Sequence, residues 1–206
     1  MRVTSQVKAT TRQRILEVAR RLFASNGFDA ATTRTIAEEA GIASGTLFNY
    51  FATKEAILAA LASEAAYSAS GAFDEEGTGP ETLEGDLFAF AAAGLRGLKP
   101  LRRHLAALLE TTLHPLATSA RKESDAFRIS HLETVARLAR KHAMGELSPL
   151  ALQLYWTLYT GVLMFWSRDR SPKQEDTLAL LDNSLSMFVG WLRREGDTET
   201  KAEGEK

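Results

Sequence analysis

The stretch that decides the fold is TTRTIAEEAGIASGTLFNYFATKE, which runs from Thr32 to Glu55. Its pattern predicts two short helices, at about 33–40 and 44–51, separated by the turn Gly41-Ile42-Ala43. A helix-turn-helix needs a turn of three or four residues with a glycine, because the chain reverses sharply there. We expect the apolar residues of both helices to pack together across this turn. They are Ile36, Ala37, Ala40, Ile42, Leu47 and Phe51.

Small and hydrogen-bonding side chains lie on the outward side of the second of these helices. They are Ser44, Thr46, Asn49 and Tyr50. Side chains of this kind allow a helix to enter a DNA major groove and to reach base edges or phosphate oxygens. The segment therefore predicts a DNA-reading helix. The alternative is a compact helical corner in which the aromatic residues of the segment only fill the core.

Helical spacing continues on both sides of this segment. Apolar residues recur at helical spacing over about 11–25, and Asn26-Gly27 ends that helix because both residues accept a left-handed backbone. Thr53 has the position of an N-cap for a long Ala-rich helix that extends to about residue 70. No segment alternates apolar and polar residues as a half-buried strand does. The sequence therefore predicts an all-α protein.

Together, these residues resemble the DNA-binding domain of the TetR family of bacterial regulators over about residues 10–60. The matching motifs are Thr-x-x-x-Ile-Ala from Thr32, Ala40-Gly41-Ile42, Gly45-Thr46-Leu47-Phe48, Tyr50-Phe51 and Lys54-Glu55. The resemblance implies a three-helix helix-turn-helix domain followed by a larger α-helical domain for ligand binding and dimerisation. We expect the first, with an N-terminal arm, at 1–55, the second at 56–195, and a disordered tail at 196–206.

The resemblance also implies DNA contacts at single positions. Thr33 and Arg34, at the start of the second helix, would hold phosphates. Tyr50 and Lys54 would grip the DNA backbone. The residues that would enter the major groove are Ser44, Gly45, Thr46, Phe48 and Asn49.

Two positions depart from the family's pattern. Ala43 stands where the family commonly has serine, which removes a helix cap, although Ser44 can substitute for it. Phe48 replaces a frequent tyrosine, so that apolar contact with a thymine methyl group remains instead of a hydroxyl contact.

Two apolar segments near the C-terminus predict a dimer interface. Residues 150–166 are apolar nearly all round, and residues 172–194 carry an apolar stripe that includes Leu181 and Leu185. Ser171 and Gln174 have the spacing of a capping box for the last helix. The two helices offer more apolar surface than one thin subunit can cover, and the resemblance implies a four-helix homodimer interface at about 150–194. The alternative is a wholly intramolecular core.

A ligand pocket between the C-terminal helices is expected to accept an apolar or amphipathic effector. The candidate lining residues are Phe88, Leu105, Leu109, Phe127, Trp156 and Tyr159. The four histidines show no metal-ligand spacing, so we expect neither a metal site nor a cofactor.

Composition limits the class of protein. The chain has 206 residues and no cysteine, which excludes disulfides and thiolate chemistry. Residues 1–62 hold eight lysines and arginines against five acids, a net +3, whereas the whole chain has a net charge of −1. One end is thus suited to a polyanion. The polar stretch 1–11 is interpreted as a flexible basic arm and not a secretory signal, so a cytoplasmic protein is expected.

The sequence thus predicts a sequence-specific DNA-binding regulator, a repressor that a small molecule releases from an inverted-repeat operator in double-stranded DNA. One alternative is an α-helical enzyme or small-molecule carrier with a fortuitous helix-turn-helix-like segment. The chain lacks a GxSxG elbow, a P-loop and a GxGxxG motif, so we do not expect it to be an enzyme. A second alternative is an interaction protein that uses its apolar helices to bind another chain. A membrane helix at 150–166 is not expected, because that run is short and contains polar residues.

Overall fold

The structure, a computed structural model, describes residues 5–76, 82–105 and 118–204, without the side chains of 66, 69–76, 118–124 and 196–204. Throughout these ranges the regular structure is helical, which confirms the all-α prediction. The α-helices are α1 (Ser5–Asn26), α2 (Thr33–Glu39), α3 (Ser44–Phe48), α4 (Lys54–Glu76), α5 (Leu83–Leu98), α6 (Thr118–Lys141), α7 (Pro149–Arg168) and α8 (Glu175–Gly204). Short 3-10 helices lie at Lys99–His104 and Pro172–Gln174.

Backbone contacts divide the chain into two compact units, residues 1–64 with 106–126, and residues 65–105 with 127–206. In the first unit the apolar face of α1 is buried together with the apolar residues of α2, with Leu47 of α3 and with the start of α4. In the second unit α8 packs against both α5 and α7. None of the helices in the described part of the chain is both long and apolar enough to span a bilayer.

The helix-turn-helix has the predicted turn and the predicted core except for Ile42, which is half-buried. Ile36, Ala37 and Leu47 are fully buried, and Phe51 is 2% exposed. Gly41 has a φ of +66°, a left-handed backbone that favours glycine, so the sharp reversal between α2 and α3 depends on this residue. The sequence therefore identifies both the partners in this core and the reason for the turn.

Several helix ends differ from the predicted ones. Helix α1 begins at Ser5, inside the stretch 1–11 that we interpreted as an arm, and α4 continues to Glu76 instead of ending at about residue 70. Residues Lys99–His104, which follow α5, form a 3-10 helix, and residues 106–117 lie outside the described residues. The backbone of 196–204 is helical where a disordered tail was expected. Alanine, glutamate and lysine have a high intrinsic helix propensity, which does not depend on packing against a core. The polarity of a segment therefore did not predict where these helices end.

The junction between α7 and α8 is built around Asp169. Its carboxylate accepts hydrogen bonds from the Ser171 N–H (2.7 Å), the Thr177 N–H (3.1 Å) and the Thr177 hydroxyl. The predicted capping box is wrong, because Gln174 accepts from the indole N–H of Trp166 at 2.7 Å and does not reach back to Ser171. Asp169, three residues before Pro172, thus caps the first turn of α8.

Replacing Asp169 by alanine should destabilise the chain at neutral pH. The pKa of Asp169 is about 2, below its ordinary 3.8, chiefly because the Thr177 hydroxyl donates to its carboxylate. Hydrogen bonds from Ser171 and from the Thr177 N–H lower this pKa further. Because this pKa is lowered in the folded state, the stabilisation is present above pH 3.8 and is lost as the pH falls towards 2.

Thermal unfolding of the wild type and of Asp169→Ala across this acid range measures the effect. The gap between the two melting temperatures should shrink as the pH falls. Asp182→Ala is the control, because Asp182 is exposed on α8, the helix that Asp169 caps. Its melting temperature should equal that of the wild type throughout this pH range. A gap for Asp169→Ala that does not depend on pH would contradict the assignment of this cap.

Candidate nucleic-acid interface

Helix α2 is fixed at its start by a side-chain cap, and α3 is not. The Thr32 hydroxyl accepts from the Thr35 N–H at 3.0 Å, as expected of an N-cap. Ala43, the N-cap of α3, has no side chain that can do so. The first turn of α3 is therefore closed by backbone hydrogen bonds, such as that from the Thr46 N–H to the Ala43 carbonyl at 2.9 Å, without a side-chain acceptor at the N-cap.

The outward side of the helix-turn-helix carries the residues to which the resemblance assigned DNA contacts. Phe48 is 51% exposed, although a phenylalanine ordinarily lies in a core. The neighbouring positions are open too: Arg34, Ser44, Gly45 and Asn49 are exposed, while Thr33, Thr46, Tyr50 and Lys54 are half-buried. The nine positions thus form a polar surface with one exposed aromatic ring, and the alternative in which Phe48 fills the core is excluded.

Lys54 has a structural partner that the sequence did not suggest. Its ammonium donates to the backbone carbonyl of Phe28 at 2.7 Å and lies 4.2 Å from the centre of the Phe28 ring. A second carbonyl, that of Asp29, is 3.4 Å away. Lys54 therefore ties the start of α4 to the segment between α1 and α2, a role separate from the DNA contact that we expected of it.

Several arginines of this unit are held in ion pairs on the surface. Arg34 bonds to Glu38 at 3.0 Å, and its side chain is 83% exposed. Arg21 pairs with Glu39 across α1 and α2. Exposed pairs of this kind contribute only about 0–1 kcal/mol, so a phosphate can replace the carboxylate at little cost. These arginines are consequently available to a polyanion.

The second unit contains an aromatic cluster centred on His131, comprising Phe90, Phe127, His131, Tyr155, Trp156 and Tyr159. His131 stacks on Tyr159 at 4.2 Å between ring centres, and its Nε2 lies 3.1 Å from the Tyr155 hydroxyl. Burial lowers the pKa of His131 to about 3, so the imidazole is neutral at physiological pH. The His131 cluster is therefore an uncharged interior surface.

The structure brings together only some of the residues predicted to line a ligand pocket. Phe127, Trp156 and Tyr159 all belong to the His131 cluster. Phe88 is half-buried and Leu105 is buried, without a contact to the cluster among those described, and Leu109 lies outside the described residues. His131, at the centre, was missed because a single histidine on a helix gives no spacing signal.

A cavity of about 10 Å³ lies on the α8 side of Tyr155 and Tyr159. Leu181, Ser184 and Leu185 of α8 contribute to its lining. A cavity of this size holds about one water molecule and cannot hold an effector. Any small molecule must therefore bind by displacing side chains of this region or at another surface.

Asp86 is a buried carboxylate in the first turn of α5. Its Oδ2 accepts from the Lys141 ammonium and the His142 Nε2, each at 2.8 Å. Burial would raise the pKa of Asp86, but the hydrogen bonds and charges of Lys141 and His142 outweigh it and lower that pKa. These three residues tie the start of α5 to the end of α6. Among the described residues no group of three or more potential metal ligands is present.

Helices α7 and α8 leave apolar side chains exposed. Met164 and Phe165 on α7 are 49% and 44% exposed, and Met187 on α8 is 70% exposed. Leu150, Leu178 and Leu180 are exposed as well. Leu181 and Leu185, which we expected at the dimer interface, are instead buried within the chain. Leu178 lies nine residues before Met187 and so on the opposite side of α8. We name the other five exposed residues the apolar face of α7 and α8.

Comparison with known proteins matches residues 15–61 to the family model described as bacterial regulatory proteins, tetR family. Over 74 residues the chain is 39% identical to the HTH-type transcriptional repressor AcnR of Corynebacterium efficiens, a match that covers 36% of this chain and 39% of that relative. Over 51 residues it is 43% identical to the HTH-type transcriptional regulator UidR of Escherichia coli K12, covering 25% and 26%. The chain thus aligns with less than two fifths of each of these relatives.

A solved structure extends the likeness in fold. The Thermus thermophilus repressor FadR, in complex with lauroyl-CoA, matches with a TM-score of 0.72 and 22% identity over 86% of this chain and 93% of that one. At this identity the match concerns the fold alone. Sequence similarity is thus concentrated in the helix-turn-helix unit, whereas similarity of fold extends over most of the chain.

Proposed function

We propose that this chain, whose residues 15–61 are a DNA-binding domain of the TetR family, is a dimeric transcription repressor that an apolar or amphipathic small molecule releases from DNA. The observation that carries the proposal is the solvent-facing side of α2 and α3, where hydrogen-bonding side chains surround the exposed Phe48. A buried helix-turn-helix core with such an outer face suits the reading of a major groove.

Within this proposal the outward residues have distinct roles. Thr33 and Arg34 hold phosphates at the start of α2, and Tyr50 grips the DNA backbone beyond α3. Ser44, Gly45, Thr46 and Asn49 approach base edges, and the Phe48 ring packs on a thymine methyl group. Lys54 contributes one remaining ammonium hydrogen to a phosphate while it keeps its bonds to the Phe28 and Asp29 carbonyls.

The apolar face of α7 and α8 supports a homodimer formed through about 150–194. Its members are mostly large side chains that few monomers leave exposed together, and α7 and α8 pack closely enough to present them on one unit. A second copy would cover this face by presenting the same one, as a two-fold axis requires. Dimerisation sets the distance between two α3 helices and therefore the form of the operator.

Release by an effector requires that the ligand bind two states of the dimer with different affinity. Helix α4 contributes residues to both compact units, so we propose that it transmits the change. The coupling is reciprocal, because operator DNA must weaken the ligand as much as the ligand weakens the operator. A typical coupling of about 1–3 kcal/mol corresponds to roughly 5–150-fold in affinity.

Footprinting on the DNA upstream of the chain's own gene and of its neighbour tests the function. We expect protection of an inverted repeat whose half-site centres lie about 34–36 Å apart, or a multiple of that distance. The affinity should fall linearly with the logarithm of salt concentration, because phosphate contacts release counterions. Binding without any preference over unrelated DNA of equal length would refute the proposal.

A further inference from the structure

The Tyr159 hydroxyl is buried and has no hydrogen-bond partner in the described part of the chain. Tyr155, one turn earlier on α7, differs in this respect, since its hydroxyl lies 3.1 Å from Nε2 of His131. Burial raises the pKa of Tyr159, so its hydroxyl keeps its proton and remains a donor without an acceptor. An unmet buried polar group costs about as much as a lost hydrogen bond, and a native structure that keeps one calls for an explanation.

The backbone of α5 makes room for this hydroxyl at Gly94. A Cβ atom built there would stand 3.3 Å from the Tyr159 oxygen, closer than side chains ordinarily come. The ring neighbours of Tyr159 are His131, Tyr155 and Trp156, and none of them is charged at neutral pH. The donor therefore has uncharged ring neighbours, and at Gly94 no side chain lies between it and the α5 backbone.

We propose that the Tyr159 hydroxyl is the polar contact of the effector, donating a hydrogen bond to an oxygen acceptor on an uncharged apolar or aromatic molecule that packs against the His131 cluster. This inference rests on the proposed function, whose effector it describes more closely. Phe127 and Trp156 are only half-buried, so they form the side of the cluster through which such a molecule enters. The site is built when the ligand moves these two rings.

The chemical class follows from the charges present. A carboxylate could accept the same hydrogen bond, but burying it requires a compensating cation. The guanidinium of Arg128 lies over the Trp156 ring, 5.8 Å from the ring centre, and donates to the side-chain oxygen of Gln153 at 2.6 Å. It is not among the neighbours of the Tyr159 ring. The inserted end of the effector is therefore neutral and carries a ketone, ether, ester or amide oxygen.

Three probes of nearly equal shape test this class: 2-acetylnaphthalene, which carries an uncharged acceptor, 2-ethylnaphthalene, which carries none, and the anion 2-naphthoate. Binding to the full chain is followed by tryptophan fluorescence. We expect the wild type to bind the ketone about tenfold more tightly than the hydrocarbon, as one hydrogen bond allows. Tyr159→Phe should abolish that preference. Tyr67→Phe, at an exposed tyrosine outside the cluster, should retain it.

A measurement without any ligand gives a second test. Tyr159→Phe removes a hydroxyl that has no partner, so the melting temperature should stay or rise, whereas Tyr155→Phe removes a hydrogen bond that is made and should lower it. Equal destabilisation by both changes would overturn the proposal. So would tight naphthoate binding, a ketone preference that survives Tyr159→Phe, or no binding of any probe.

Failure of the subsite and failure of the proposed function give different results. DNA binding by the probe-free wild type tests the function alone. If that binding is specific and the ketone preference is absent, only the subsite is wrong. If the ketone preference behaves as expected and the wild type ignores DNA sequence, the chain has the ligand site without the regulatory function.

Discussion

Aspartate in place of Asn49 should reduce operator affinity by at least about 100-fold, because it combines the loss of a base contact, about 1–3 kcal/mol, with repulsion of the phosphates. Asn49 is the C-cap of α3, and its side chain is exposed. Aspartate has the same shape as asparagine, and the change leaves the buried core beneath α3 untouched. The loss should therefore appear in DNA binding without a matching loss of stability.

The measurement is a mobility-shift titration of both proteins on the same operator at one fixed salt concentration. Asn26→Asp is the matched control, since Asn26 is exposed at the C-terminal end of α1, outside both α3 and the proposed dimer interface. It adds the same charge at a position that we do not assign to DNA contact. Equal effects of the two changes would mean that net charge, and not the position on α3, controls binding, and α3 would lose its assigned role.

Glutamate in place of Met187 should convert the dimer into monomers and, with them, reduce operator binding to that of a single half-site. Met187 is 70% exposed and belongs to the apolar face of α7 and α8. A two-fold axis places the introduced charge in the interface twice, where each copy loses its water without gaining a partner. Sedimentation at several protein concentrations measures the result.

Leu181→Glu is the contrasting variant. We expected this residue at the interface from its place in the apolar stripe, but it is 2% exposed within the chain and lines the small cavity beside Tyr155. A glutamate there should unfold the second unit, whereas Met187→Glu should leave the melting of each subunit intact. Dimers that persist in Met187→Glu would contradict the proposed interface.

Leu181 and Met187 show what a periodic pattern of apolar residues can and cannot predict. Spacing of three and four residues shows that one side of α8 is apolar, and it correctly predicts a buried helix. It does not show whether the same chain or a second copy covers each residue. Leu181 faces α7, and Met187 lies on another side of the helix. Only the packing of the two helices separates them.

The helix-turn-helix could be predicted almost completely, because its determinants are local. Gly41 supplies the turn, and the apolar residues of α2 and α3 are close in sequence to their partners. Contacts between distant residues could not be predicted. Lys54 and Phe28 are 26 positions apart, and His131 and Tyr155 are 24 apart, with no pattern that links either pair. Long-range polar contacts of this kind depend on the tertiary fold.

Asp169 has one further consequence, for cooperativity. Its carboxylate holds the first turn of α8, while its backbone carbonyl and that of Trp166 accept from Arg102, beside the end of α5. Opening the α7–α8 junction would break the hydrogen bonds of the Asp169 carboxylate and those of the two backbone carbonyls at once. Three helix ends therefore share one local unfolding equilibrium, and fraying that begins in α8 cannot stop at its first turn. We therefore expect the backbone amide of Thr177, which is buried at that point, to be among the slowest to exchange in the second unit.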